Sequence, residues 1–207
     1  KIYRVGHNRY DFMIYAIFLG VKLAKKSDII HTTTYNSAIP ASIIGMISWK
    51  KVVLTVHEIF GKLWYSFLGW KGFFFKLFER IIFFFPFEKY ICVSHYTKNS
   101  LRVHFWVEDK KLVTIYNAID YNFWNKEKVI ASDIENIKKN IFPTWKYIWL
   151  FYGRAWISKW LEFYIRAIPE IIEKIPTFHA FLILPHSKNN PIDFIEELIE
   201  TLKIKSY

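Results

Sequence analysis

The sequence predicts an α/β fold with a mostly parallel sheet, and two observations carry that prediction. Short apolar, β-branched runs recur along the chain, and helical patterns separate several of them. The runs are Asp28-Ile29-Ile30-His31, Val52 to Val56, Tyr90 to Val93, Leu112 to Tyr116, Tyr147 to Phe151 and Ala180 to Leu184. Each has the length of a buried strand.

Taken in order, the first two runs place His31 and His57 at strand carboxyl ends. The stretch from Phe73 to Phe87 is the most apolar in the chain, yet Lys76, Glu79, Arg80 and Pro86 interrupt it. A membrane-spanning helix needs ~18 or more apolar residues without such breaks, so this stretch is expected to be buried or interfacial. After Val93, Ser94 stands where an N-cap belongs. Residues from about Asn122 to Phe142 are polar and charged and lack a convincing strand, which puts a domain boundary there. The expected division is residues 1–122, a linker over 123–145, and a second domain over 146–207. Within the second, Leu161, Ile165, Ile168, Ile172 and Ile175 recur at spacings of 4, 3, 4 and 3, which draws one apolar stripe along a helix. Asn190-Pro191 supplies an N-cap and a first-turn proline for a last helix, buried through Ile192, Ile195, Leu198, Ile199 and Leu202.

Composition limits the function classes. With 207 residues and 53% hydrophobic content, the chain has ample material for a core, which excludes wholesale disorder. The lone cysteine, Cys92, builds no disulfide framework and no paired-cysteine metal site, and no signal peptide is evident. A reducing cytoplasm is the expected compartment, with the inner face of the cell membrane as its finer form. Formal charge is +11, which suits phosphate esters, acidic lipid headgroups or nucleic acid. Lysine outnumbers arginine and the cations are scattered, a pattern that an AT-rich gene produces without functional pressure. No basic cluster or RNA-binding signature is present, so nucleic acid is not the expected partner. Nine tryptophans stand against seven glycines, although glycine ordinarily makes up ~7% of a chain, about twice its share here.

In open α/β sheets ligands sit beyond the carboxyl ends of strands, so the residues just after each run are the candidates. His57 and Glu58 follow Val52–Val56, and a histidine there can donate to a substrate oxygen or exchange a proton near neutral pH. Ser94 caps a helix whose start could also hold an anion. Asn117 and Asp120 follow Leu112–Tyr116 in a turn where each can bond its own backbone. The sharpest element is Gly153-Arg154-Ala155-Trp156-Ile157-Ser158-Lys159-Trp160-Leu161-Glu162, a loop running into a helix N-terminus. Free amides there, with Arg154 and Lys159 over the same spot, make a candidate diphosphate site.

In order and spacing, the stretches Asp28–His31, Val52–Glu58, Val93-Ser94 with Thr97, Ile115–Asp120, and Gly153-Arg154 with Ser158-Lys159 resemble the retaining family-4 glycosyltransferases. The resemblance runs from roughly residue 28 to 184. It implies the GT-B fold of two Rossmann-like domains with parallel sheets, both incomplete in this chain. It further implies transfer of a sugar from a UDP-, GDP- or ADP-linked donor to a sugar or lipid-linked acceptor, with retention and with neither metal nor cofactor. On that resemblance Gly153, Arg154 and Lys159 bind the donor diphosphate and His57 lines the reaction centre without acting as a nucleophile. Glu58, Ser94, Asn117 and Asp120 shape the cleft more weakly. The competing expectations are a non-catalytic basic module on a membrane surface or polyanion, and a sugar-nucleotide epimerase on the same fold. Phe73, Phe74, Phe75, Phe83, Phe84 and Phe85, near Lys71, Lys76 and Arg80, are expected to pack in the core, with peripheral contact to an anionic bilayer as the alternative.

This chain departs from the family in two ways. Trp160 stands where the family has glycine after the lysine, and Trp156 where it commonly has glycine two residues after the arginine. An indole cannot replace a hydrogen where backbone must approach a phosphate or take positive φ. Trp49, Trp106 and Trp145 also occupy turn positions natural to glycine, whereas Trp64 sits in a genuine aromatic context. Some bacterial lineages read UGA as glycine, and translating such a gene with UGA as tryptophan would produce this pattern and the Gly/Trp imbalance. The second departure is that the family's paired glutamates and its N-terminal glycine-rich loop have no counterpart here, so the chain is expected to be a fragment without turnover of its own.

Overall fold

The computed structural model describes residues 1–141, 147–155, 159–185 and 192–206. It divides into two units, Lys1–Ile119 and Asp120–Tyr207.

The first unit runs α1 (Arg9–Ala24), β1 (Ile29–Thr33), α2 (Ala38–Ser48), β2 (Lys51–Val56), α3 (Leu63–Leu68), α4 (Gly72–Phe84), β3 (Lys89–Cys92), α5 (His95–Phe105) and β4 (Leu112–Thr114). Its four strands pair in parallel in the order β1-β2-β3-β4. Ile30 lies opposite Val52, Leu54 opposite Tyr90, and Cys92 opposite Thr114. The expected strands are all present with small shifts. β4 ends two residues earlier than the apolar run because β3 is only four residues long and its ladder closes with the Ile115 amide donating to the Cys92 carbonyl at 3.0 Å. Alternate residues Val52, Leu54 and Val56 are buried, and with Tyr90 and Cys92 they meet Ala38 and Ala41 of α2, Ile82 and Phe83 of α4, and Leu101 of α5.

The Phe-rich stretch forms α4, and here the core-packing expectation needs correction in part. Phe83 is buried and Phe85 packs against the core, but Phe73, Phe74, Phe75 and Phe84 are exposed. Successive side chains on a helix turn by about 100°, so a helix this rich in apolar residues must wet some of them once its inner side is filled.

The second unit runs α6 (Ala131–Ile141), β5 (Tyr147–Tyr152), α7 (Leu161–Lys174), β6 (Phe178–Ile183) and α8 (Ile192–Thr201). β5 and β6 pair in parallel, with Tyr147 opposite Phe178 and Tyr152 opposite Ile183. The predicted stripe is what α7 buries: Leu161, Ile165 and Ile168 close against Phe178, Ile195 and Leu198. Asn190 and Pro191, the expected start of α8, lie outside the described residues.

Candidate functional site

The carboxyl edge of the first sheet holds the first group of candidates. β2 ends at Val56, so His57 and Glu58 follow it directly, and both are exposed. His57 lines a shallow depression of about 460 Å³ with His31, Thr33, Ser37 and Thr55. The His31 ring nitrogen Nε2 and Thr55 Oγ1 are 2.7 Å apart, and the Ser37 hydroxyl donates to the Thr33 carbonyl at 2.7 Å. His57 has no polar partner among the described residues, which leaves its imidazole free for a ligand.

Behind this edge lies a group that sequence reasoning missed. Glu79 of α4 is 0% exposed, and its carboxylate accepts from the Phe60 amide at 2.9 Å, the Gly61 amide at 2.9 Å and the Tyr35 hydroxyl at 2.8 Å. The Tyr35 hydroxyl also lies 2.9 Å from the Glu58 carbonyl. Burial first, and then the charge of Glu79, push the Tyr35 phenol far above its ordinary range, so it stays a donor. The result is a strut from α4 to the loop that carries His57 and Glu58. Its one signal in the sequence was a carboxylate among phenylalanines, which must find buried donors or stay wet. Which donors it finds follows from the packing of α4 under a loop about twenty residues earlier.

Ser94 is the N-cap of α5, its hydroxyl oxygen accepting from the Thr97 amide at 3.1 Å and lying 3.0 Å from Thr97 Oγ1. Asn117 is exposed three residues past β4. Asp120 accepts from the Asn122 and Phe123 amides at 3.0 and 3.1 Å, so its carboxylate closes a local turn.

The donor-side candidates belong to the second unit. Gly153 extends the ladder by donating to the Ile183 carbonyl at 3.1 Å, then turns with φ of 145°, a conformation that favours glycine. Arg154 and Lys159 are exposed and have no ion pair among the described residues. Trp160 precedes α7 with φ of 59°, and no side chain among the described residues caps that helix. Trp156 and Ser158 lie outside the described residues, as does Trp145. Arg154 follows β5 by two residues and Lys159 precedes α7 by two, so the chain puts two exposed cations between the carboxyl end of β5 and a helix start, which by itself favours an anion. Among the described residues no three His, Cys, Asp or Glu side chains converge as metal ligands.

Residues 1–123 match the family model described as Glycosyltransferase Family 4. The chain belongs to that family. Its solved neighbours bear out the fold: a glycosyltransferase from Rickettsia africae superposes with a TM-score of 0.66 at 19% identity, over 99% of this chain and 52% of its own. HepE from Anabaena, solved with UDP and glucose, gives 0.70 at 17% identity over 91% of this chain and 48% of its own. A putative UDP-N-acetylglucosamine 2-epimerase from Listeria monocytogenes gives 0.55 at 14% identity over 97% and 51%. The chain thus spans about half the length of these structures. No curated protein matches it significantly. No helix among the described residues is long and apolar enough to cross a membrane.

Three of the tryptophans flagged in the sequence share one geometry. Trp49, Trp106 and Trp160 have φ of 55°, 51° and 59°, and Lys203 is the other non-glycine residue with positive φ among those described. Trp49 follows α2, and its amide and that of Lys50 both return to the Gly45 carbonyl. Trp106 follows α5, and its amide and that of Val107 both return to the Leu101 carbonyl. These are helix-ending turns of the kind that glycine usually makes.

Proposed function

We propose that the complete protein transfers a sugar from a nucleotide-diphosphate donor to an acceptor hydroxyl with retention, in cell-surface polysaccharide or glycolipid synthesis. The observation that carries this reading is that Arg154 and Lys159, two exposed cations without an ion pair among the described residues, lie in the stretch that leads from the Gly153 turn to the start of α7. Family membership supplies the reaction class, and neighbours solved with UDP and with UDP-glucose support a nucleotide sugar as ligand.

Charge builds on the diphosphate as it leaves the anomeric carbon, and fixed cations there act more strongly on the transition state than on the bound donor. Arg154 and Lys159 take that role. His57 orients the transferred sugar or the acceptor from the first sheet, with the Glu79 strut holding its loop in place. The reaction needs no metal on this reading, and the protein works on the cytoplasmic side.

The test uses the complete gene product. Calorimetry with UDP-, GDP- and ADP-glucose is expected to show binding to one of them, weakened at least tenfold by Arg154→Ala and by Lys159→Ala. Turnover is expected to fall ~10²-fold, the scale seen when one charge-stabilising group is removed. A neighbour described as an epimerase keeps that chemistry as the second reading. Nucleotide release that requires acceptor supports transfer, whereas donor-sugar isomerisation without acceptor establishes the epimerase. Binding to polyanions without any response to nucleotide sugars establishes the basic module instead.

A further inference from the structure

Helix α4 presents an apolar face that nothing in the first unit covers. Gly72, Glu79, Ile82 and Phe83 point inward. The outward arc carries Phe73, Phe74, Leu77, Ile81 and Phe84, all exposed, with Phe84 reaching 91%. Trp70, one turn earlier, is exposed as well and has the Lys71 ammonium 6.0 Å from its ring. One edge of this face is basic. Lys76 and Arg80 lie along it and, with Lys62 and His104, line an adjoining cavity of about 520 Å³. Glu79 also lines that cavity, but its oxygens are taken by the Phe60 and Gly61 amides and Tyr35. Neither Lys62 nor Arg80 has an acidic partner among the described residues.

We propose that this face of α4 docks the protein onto an anionic bilayer. Aromatic and aliphatic side chains on one arc, with lysine and arginine at its edge, match a helix lying in the interface: the rings enter the acyl boundary while the cations meet phosphate headgroups. Charge complementarity decides for this occupant, because a second copy of the face would oppose Lys71, Lys76 and Arg80 to their own like charges. The proposal stands on exposure and charge and does not depend on glycosyl transfer.

Flotation of the full chain with vesicles of phosphatidylcholine, with and without phosphatidylglycerol, tests it. Association is expected with the anionic vesicles and at least tenfold less with the neutral ones. Phe84→Glu and Leu77→Glu change exposed side chains and leave the core intact. Each is expected to lower association at least tenfold at unchanged circular dichroism, and Arg80→Glu to lower it while removing part of its salt dependence. Absence of association with anionic vesicles overturns the proposal, as does association that Phe84→Glu leaves unchanged. A concentration-dependent dimer in light scattering, abolished by Phe84→Glu, overturns it in favour of a self-interface.

A second inference rests on backbone geometry and side-chain exposure. Trp49, Trp106 and Trp160 combine positive φ with exposures of 94%, 78% and 60%. The tryptophans at 64, 70, 124 and 149 do not have positive φ. We infer that positions 49, 106 and 160 are glycine in the protein as its own cell makes it, encoded by UGA. Exposed indoles gain little from burial, and the left-handed region penalises any Cβ. The gene is expected to carry UGA at these three codons and UGG at 64 and 149. Peptide mass spectrometry of the protein from its native cell is expected to find glycine at 49 and 106. UGG at the three codons, or tryptophan in those native peptides, overturns the inference.

Discussion

Replacing Trp49 or Trp106 with glycine is expected to stabilise the first unit, against the usual direction of a tryptophan deletion. At φ of 55° and 51° each residue sits in the left-handed region, which costs a non-glycine residue about 1–2 kcal/mol. Glycine removes that cost but loses more chain entropy on folding, about 0.5–1 kcal/mol. Little burial is given up, since the side chains are 94% and 78% exposed. The net gain is about 0.5–1 kcal/mol at Trp49 and somewhat less at Trp106. The two cap different helices, so their gains should add, to about 1–1.5 kcal/mol in the double variant. Trp160 has a neighbour to lose, the Phe163 ring at 5.2 Å, a contact worth about 0.5–1.5 kcal/mol, which brings Trp160→Gly close to neutral. Urea unfolding reads these differences as midpoint shifts at constant slope. Alanine is the decisive control, because it removes the indole while keeping the strained Cβ: Trp49→Ala should gain nothing, and the gap between the alanine and glycine variants should be about 1 kcal/mol. Destabilisation by Trp49→Gly, or equal effects of glycine and alanine, would refute the reasoning.

The Glu79 strut predicts that Glu79→Ala, which strands two amides and a phenol, costs on the order of 3 kcal/mol in urea unfolding. Glu79→Gln keeps an acceptor oxygen and should lose clearly less; equal losses would show that the amide bonds contribute little. Removing the Ser94 hydroxyl in Ser94→Ala should cost ~1 kcal/mol of stability, and an unchanged urea midpoint would show that the cap is dispensable. Burial raises the Cys92 thiol to about 11, partly offset by Lys98, and raises the Tyr90 phenol to about 12. Both groups hold their protons more tightly when folded, so their contribution is intact below their ordinary values of 9.0 and 10.0 and is lost as pH climbs toward 11 and 12. Unfolding free energy measured in urea should therefore fall across that window; a flat profile contradicts the burial of both. At pH 8 the folded Cys92 should resist alkylation until urea unfolds the chain, and rapid labelling of the native protein would oppose its burial.

Much of the fold was legible because its signals are local. β-branched runs set the strands, the 4-3-4-3 spacing of Leu161 and four isoleucines set α7, and Ser94 caps the helix of its own segment. That Arg154 and His57 stand just after strands was legible in the same way, since a residue after a strand falls at the sheet's carboxyl edge whatever the rest of the chain does. The tryptophan anomaly also began in the sequence, as a composition that lacked glycine, and the φ values gave it a physical meaning at three positions.

Tertiary structure alone decided the rest. Which phenylalanines of α4 face water depends on where α4 meets β2, β3 and α5, because phenylalanine, leucine and isoleucine fill more of the helix circumference than one buried stripe can take and the pattern alone does not say which of them stay out. The partners of Glu79 come from segments about twenty and forty-four residues away, brought together by packing that no local pattern encodes. Asp120 spends its carboxylate on its own turn, an outcome open in the sequence because an aspartate after a strand can serve a ligand or the backbone with equal chemistry. The sequence by itself determined what each segment tends to form and which groups stand at strand ends. The burial of one carboxylate and the exposure of one helix face were decided only when distant surfaces competed for the same apolar contacts.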